Sequence, residues 1–324
     1  MKKIILISGD PNSINSEIIF KCWKKLKLSV KKKIFLISNF NLMNQQFKKL
    51  NYKIKTRKIE NEKNFIDGDF LKIINIDLKF RDPFNVNRKE ASKFVQKSID
   101  YGHKLALNKK ETLGLINCPI NKNLLNSKFI GVTEYLANEC KLKNGSEVML
   151  IRNQRLSVSP ITTHINIRNV SKKLNRSLIV KKIKTIDSWF KKNLKKKPRI
   201  GILGLNPHNG ELKANSEEIR IIIPTVNILK KVGIKIKGPL SSDTVFINNY
   251  KNFDVIVGMY HDQVLTPFKT LFKFDAINLT LGLKYFRMSP DHGTAKNLIG
   301  ENKANPNSLI KCVNTLIQLN KYVQ

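Results

Sequence analysis

The sequence predicts an α/β fold with largely parallel sheets, arranged in two lobes. Three observations carry that expectation. Short apolar runs of strand length alternate with longer amphipathic segments. The 324 residues are enough for two medium domains with sizeable cores. Polar segments rich in His and Asp follow directly on several apolar runs, as ligand-binding loops follow strands in open α/β sheets.

Taken in order, Lys3–Ser8 reads as the first strand, because Ile4-Ile5-Leu6-Ile7 is apolar without alternation and Gly9-Asp10-Pro11 stops it. That run is too short for the apolar region of a secretory leader. A helix is expected over about Ser16–Leu26 and a strand over Lys33–Ile37. Asn87–Asn108 is a long amphipathic helix, with Ala91, Phe94, Val95, Ile99 and Leu105 near helical spacing. Leu113–Asn117 and Val148–Ile151 are strands, and Val170–Leu194 is largely helical up to the charged stop Lys195-Lys196-Lys197-Pro198. Arg199–Leu203 is an apolar strand. Glu217–Lys231 is a helix that Pro224 is expected to kink. Asp254–Met259 and Ala276–Leu281 are further strands, and Asn307–Leu319 is the last helix.

Composition narrows the function classes. With 60 Lys and Arg against 24 Asp and Glu, the formal charge is +36, which invites a nucleic-acid reading. The lysines are dispersed along the whole chain, in pairs and triplets such as Lys31-Lys32-Lys33 and Lys230-Lys231, and no zinc finger, RNP pattern or basic zipper region occurs. The charge therefore reads as solvated surface, and no nucleic-acid partner is expected. The four cysteines form no C-x-x-C pair, which argues against a thiolate zinc site or a disulfide framework and for a reducing cytoplasm. No apolar stretch approaches the roughly 18 residues that span a bilayer, so no membrane partner is expected.

Only five histidines occur. His103 falls inside the Asn87–Asn108 helix and reads as a packing residue. The others sit in polar contexts: His164 after Thr162-Thr163, His208 in Asn206-Pro207-His208, His261 in Tyr260-His261-Asp262-Gln263, and His292 in Asp291-His292-Gly293-Thr294. Imidazoles from separate strand ends can hold a divalent metal with a coordination position left open. Each one, taken singly, is more often an ordinary hydrogen-bonding core or loop residue.

At these residues the chain resembles the PdxA family, the 4-hydroxythreonine-4-phosphate dehydrogenases of pyridoxal-phosphate biosynthesis. The resemblance runs from the first strand to the last helix. It is carried by Ser8-Gly9-Asp10-Pro11, Pro119-Ile120-Asn121-Lys122, Thr133-Glu134-Tyr135-Leu136-Ala137, Thr162-Thr163-His164, Gly204-Leu205-Asn206-Pro207-His208, Gly238-Pro239-Leu240, Tyr260-His261-Asp262-Gln263, Asn278-Leu279-Thr280-Leu281-Gly282-Leu283 and Asp291-His292-Gly293-Thr294-Ala295. What the resemblance implies is a two-lobed α/β/α fold like that of the isocitrate and isopropylmalate dehydrogenases. Residues 1–130 and about 283–324 would form one lobe, and about 131–282 the other.

The resemblance also implies a site. His164, His208 and His261 would bind one divalent metal (Zn, Co or Mg) at the interface of a homodimer, one of the three coming from the partner subunit. Thr133, Lys269, Asn278 and Arg287 would contact a small phosphorylated substrate. His292, Gly293, Thr294 and Ala295 would form the adenine side of an NAD or NADP site, which accounts for the missing G-x-G-x-x-G. The implied reaction oxidises 4-phosphohydroxy-L-threonine to a β-keto acid that loses CO2 to give 3-amino-2-oxopropyl phosphate. Asp243 and Lys122 are the candidates for the general base. Asp243 also reads as an orienting partner for a metal-bound His, or as the N-cap of a helix starting at Thr244.

Two departures from the family pattern stand out. Val132 replaces a His that contacts substrate in the family, and Ser13 and Asn15 replace glycines. The first keeps open a second reading, a dehydrogenase of the same fold acting on another phosphorylated hydroxy acid such as phosphoerythronate. A third reading, a basic nucleic-acid-binding protein on a degenerate enzyme fold, is opposed by the intact His164, His208 and His261.

Overall fold

The computed structural model describes residues 1–61, 68–125, 131–142, 146–247 and 249–321. The chain divides into two compact units, Met1–Leu136 with Lys284–Asn320, and Ala137–Leu283. Twelve strands lie among the described residues. In chain order they are β1 (Lys3–Ile7), β2 (Ile34–Ser38), β3 (Thr56–Ile59), β4 (Leu71–Asn75), β5 (Thr112–Asn117) and β6 (Val148–Arg152). Then follow β7 (Ser157–Thr162), β8 (Ile200–Leu203), β9 (Ile236–Leu240), β10 (Val255–Tyr260), β11 (Ile277–Leu281) and β12 (Arg287–Pro290).

In the first unit the strands run β3-β4-β2-β1-β5-β12, every pair parallel. β1 and β2 are apolar because both faces are covered: Ile4, Ile5, Ile34, Phe35, Leu36 and Ile37 are each 2% exposed or less. The long helix Arg88–Leu107 buries Ala91, Phe94, Val95, Ser98, Ile99, Gly102 and Ala106, and Asn87 caps it by accepting from the Lys89 N–H. Ile99 is fully enclosed. Ile99→Ala is expected to cost about 2–5 kcal/mol, read as a lower urea midpoint with an unchanged slope.

In the second unit the order is β11-β6-β7-β10-β8-β9. β7, β10, β8 and β9 are mutually parallel, but β6 runs antiparallel to both β7 and β11, a departure from an all-parallel sheet. The cause is the connection. Only Asn153–Leu156 separate β6 from β7, and Asn153 closes that turn, its Oδ1 accepting from the Arg155 and Leu156 N–H groups. A turn that short permits only antiparallel pairing.

Other elements correct the sequence reading. β7, with Ser157, Ser159 and Pro160, is a strand where the sequence reading assigned none. Pro160 is tolerated because β6 pairs only with Ser157 and Val158, so no β6 ladder bond is needed from its nitrogen. The Val170–Leu194 segment is two helices, Val170–Lys173 and Arg176–Leu194, the second capped by Asn175. Within Glu217–Lys231, a π-helical turn over Glu218–Ile222 precedes the regular helix Ile223–Lys231, so Pro224 sits in a first turn where its missing N–H is harmless. The four cysteines are buried and form no disulfide. Among the described residues no helix is long and apolar enough to cross a membrane.

Candidate active site

Three of the strands of the second unit put histidines at their carboxyl ends. β10 pairs in parallel with β7 on one side and β8 on the other. His164 follows β7 by two residues, His261 follows β10 directly, and His208 follows β8 by five. Thr162 Oγ1 donates to the Met259 carbonyl at 2.7 Å, joining the ends of β7 and β10. The rings of His164 and His261 stand 5.5 Å apart between centroids, tilted by 39°. His261 is not in a loop, as its polar context suggested. It opens the helix His261–Phe272, and its Nδ1 lies 2.6 Å from Asp262 Oδ1. A proton on Nδ1, shared with that carboxylate, leaves the Nε2 lone pair available to a metal.

His208 lies apart from this pair. Its side chain is 75% exposed, with Nε2 3.7 Å from Asp243 Oδ2. Asp243 does not cap a helix: the turn Ser242–Val245 has Ser241 at its N-cap, so Asp243 is free to face His208. Gln263 links the segments, a role its motif did not reveal. Its Oε1 accepts from the Met259 N–H at 2.7 Å, and its Nε2 donates to the Gly204 carbonyl at 2.7 Å and to Ser242 Oγ at 2.8 Å. Among the described residues, no three His, Cys, Asp or Glu side chains converge on one metal-binding point. The donor chemistry fits a nitrogen-ligated divalent metal. One chain brings two of the three imidazoles together.

The four substrate-contact candidates divide between the units. Lys269 is exposed on the His261–Phe272 helix. Asn278 lies half-buried on β11, its Oδ1 buried without a hydrogen-bond partner among the described residues. A stranded acceptor of that kind suits a ligand donor. In the first unit, Arg287 on β12 is 3% exposed. Its Nε donates to Asn117 Oδ1 at 2.8 Å and its Nη1 to Thr133 Oγ1 at 3.3 Å. Burial pushes its pKa down to about 10, which still leaves it charged at neutral pH. Thr133 is the second residue of the helix Val132–Glu139, and Val132 is the first. Lys122 is exposed in a short turn after β5.

The His292–Ala295 segment packs on the loop after β1, where the Ile14 N–H donates to the Thr294 carbonyl at 3.2 Å. A side chain at Gly293 or Gly300 would meet nothing within 4 Å, so the backbone is open to a flat ring there. β1 and β5 mark the point where the strand order reverses, and ligands of open α/β sheets bind at such points. Several buried polar atoms on the loop after β1 and at the start of the helix Asn15–Lys25 have no partner among the described residues: Ser8 Oγ, Asp10 Oδ2, Asn15 Oδ1 and Ser16 Oγ. This set fits a nucleotide with hydroxyl and amide donors. Burial raises the Asp10 pKa against the lowering effect of the Asn12 N–H and Lys296. Glu17, 1% exposed, accepts from Lys21 Nζ at 2.7 Å and from the Ala304 N–H at 2.8 Å, tying the far end of the His292 segment to the first helix. Sequence reasoning missed Asp10, Glu17 and Asn117 as partners. The available signal was their position: acids and an amide inside or beside apolar runs.

A family model described as pyridoxal phosphate biosynthetic protein PdxA matches residues 30–316. The chain belongs to the PdxA family. One relative, the 4-hydroxythreonine-4-phosphate dehydrogenase of Sulfurihydrogenibium sp. (strain YO3AOP1), is 37% identical over 330 residues, covering 99% of each chain. Another relative, the D-threonate 4-phosphate dehydrogenase of Pectobacterium atrosepticum, is 33% identical over 332 residues, 98% of this chain and all of the other. The structure superposes on the 4-hydroxythreonine-4-phosphate dehydrogenase of Klebsiella pneumoniae with a TM-score of 0.83 at 28% identity, covering 98% of this chain and 99% of that one. Isocitrate dehydrogenase of Methylococcus capsulatus matches at a TM-score of 0.51 and 12% identity, over 100% of this chain and 87% of that one, which shows the shared fold of the PdxA and isocitrate dehydrogenase families.

Proposed function

We propose that the chain is an NAD(P)- and divalent-metal-dependent dehydrogenase that oxidises 4-phosphohydroxy-L-threonine at C3 in vitamin B6 biosynthesis. The β-keto acid loses CO2 and leaves 3-amino-2-oxopropyl phosphate. The observation that carries this reading is the full-length similarity to proteins named for that activity, together with retention of His164, His208 and His261. His164 and His261 would hold the metal in one subunit, and His208 of a second copy would complete the set. The exposure of His208, whose side chain is 75% exposed, supports a shared site in a homodimer.

What a bound divalent metal supplies is Lewis acidity, at the C3 alcohol and at the negative charge that develops as CO2 leaves. NAD(P) would supply the hydride acceptor, its adenine side held by the His292–Ala295 segment. The rest falls to side chains. Arg287, oriented by Asn117 and Thr133, would attract an anionic group of the substrate through its guanidinium charge, and Lys269 would add a point charge. Asn278 Oδ1 accepts from a substrate donor. Asp243 either takes the alcohol proton or orients His208, and Lys122 is the alternative base.

A second reading is favoured by Val132 and by the relative named for D-threonate 4-phosphate. It keeps the fold and the cations but changes the substrate to a phosphorylated hydroxy acid without an amino group. One assay separates the two. Purified protein with NAD, Co2+ or Zn2+ and 4-phosphohydroxy-L-threonine should generate NADH absorbance that EDTA removes. A signal only with D-threonate 4-phosphate or phosphoerythronate would support the second reading. No NADH with any of the three, metal present, would sink both.

A further inference from the structure

The turn that carries His208 runs against ordinary backbone preference. His208, Asn209, Gly210, Glu211 and Leu212 have φ of 50°, 59°, 61°, 51° and 54°, five left-handed residues in succession, of which only one is glycine. Such a turn persists only when its surroundings hold it, and sustained backbone strain clusters at functional sites.

The holding group is Glu218. It is fully buried, at 0% exposed, and opens the π-helical turn. Its Oε1 accepts from the Leu205 N–H at 2.7 Å and the Asn206 N–H at 2.9 Å, and its Oε2 accepts from Asn206 Nδ2 at 2.9 Å. All three bonds go to Leu205 and Asn206, the segment that leads into the turn. A Cβ on Gly204 would lie 2.9 Å from Oε1, and one on Gly210 would lie 3.1 Å from Oε2. The extra residue of a π turn shifts the helix register, and such turns recur at functional sites. Here it aims a charged group into the loop from inside the fold. Glu217, half-buried, meets the same Asn206 amide from outside, at 2.8 Å.

We propose that Glu218 is a positioning residue for His208, its buried carboxylate clamping the left-handed turn that holds the imidazole out for metal binding. This rests on the reading of His208 as a metal ligand. Glu218→Gln keeps the size of the side chain but puts an amide NH2 where Oε2 accepts from Asn206 Nδ2. Zn2+ affinity of the full-length protein, measured against a chelating indicator, should fall about 10–100-fold. Asn206→Ala should shift it in the same direction by less, and Glu217→Gln should leave it within about twofold. A merely structural role would lower the melting temperature and leave the affinity alone. Trypsin cleavage after Lys213, an exposed residue just past the turn, should also quicken in metal-free Glu218→Gln. Wild-type Zn2+ affinity with wild-type cleavage in that variant would overturn the proposal. Should the wild-type protein bind no Zn2+, the metal reading fails, and cleavage at Lys213 then judges the clamp: faster supports it, unchanged overturns it.

Discussion

His261→Ala is expected to abolish divalent-metal binding and to lower turnover by about 10³-fold, the equivalent of roughly 4 kcal/mol of transition-state stabilisation. The size follows from the geometry. His261 opens a helix at the carboxyl end of β10, and its ring lies 5.5 Å from that of His164. Alanine there leaves one imidazole where two converge. Two weak nitrogen donors from separate places cannot retain a metal against buffer ligands. Asp262→Asn is the graded companion. It keeps the ring and weakens only the 2.6 Å contact that sets its tautomer, so a loss of about 10–100-fold in metal affinity is expected. Metal content of the purified protein and NADH formation with added metal are the two readings. A His261→Ala protein that keeps one tightly bound metal per chain would refute the assignment.

Arg287→Lys is expected to lower kcat/KM for the phosphorylated substrate by about 10²-fold, mostly through KM. Arg287 is 3% exposed, and its guanidinium donates to Asn117 and Thr133. Lysine keeps the charge but is a point donor without the fork. It can satisfy Asn117 or reach the substrate, not both, and each stranded polar group costs about 1–3 kcal/mol. Some loss of thermal stability is expected with it. Lys48→Ala, an exposed site on a helix of the same unit, is the control and should leave kcat/KM within about twofold. An unchanged KM in Arg287→Lys would remove Arg287 from substrate binding.

Much of the architecture was legible in the residues. β1, β2, β5, β8 and β10 announce themselves as apolar runs because helices cover both faces of a parallel sheet. The Arg88–Leu107 helix is legible because one face is apolar at helical period. Of the strands that escaped, β4 is an ordinary buried packing strand, but others carry residues that serve something other than packing. β12 is Arg-Met-Ser-Pro, with Arg287 reserved for charge, and β7 ends in Ser-Pro-Ile-Thr, with Thr162 bonding across to β10. Edge strand β3, Thr-Arg-Lys-Ile, has little apolar surface to report.

The site divides in the same way. Which residue types carry the chemistry was readable from the chain, since a His-poor sequence places four of its five histidines in polar segments, several just past strands, and the family motifs match them in order. Pairing was not readable. His164 meets His261 and not His208 because β7 and β10 are neighbours in register, Thr162 opposite Tyr260, and register is set by hydrogen bonds between segments nearly a hundred residues apart in sequence. Likewise Glu218 lies in an amphipathic stretch that looks like surface helix. In the fold it opens a π-helical turn and its carboxylate accepts from the Leu205 and Asn206 N–H groups in the segment leading to His208. Local composition specifies the elements and their chemistry, because burial and charge are properties of single side chains. Which of those side chains meet depends on long-range packing, which no local pattern encodes.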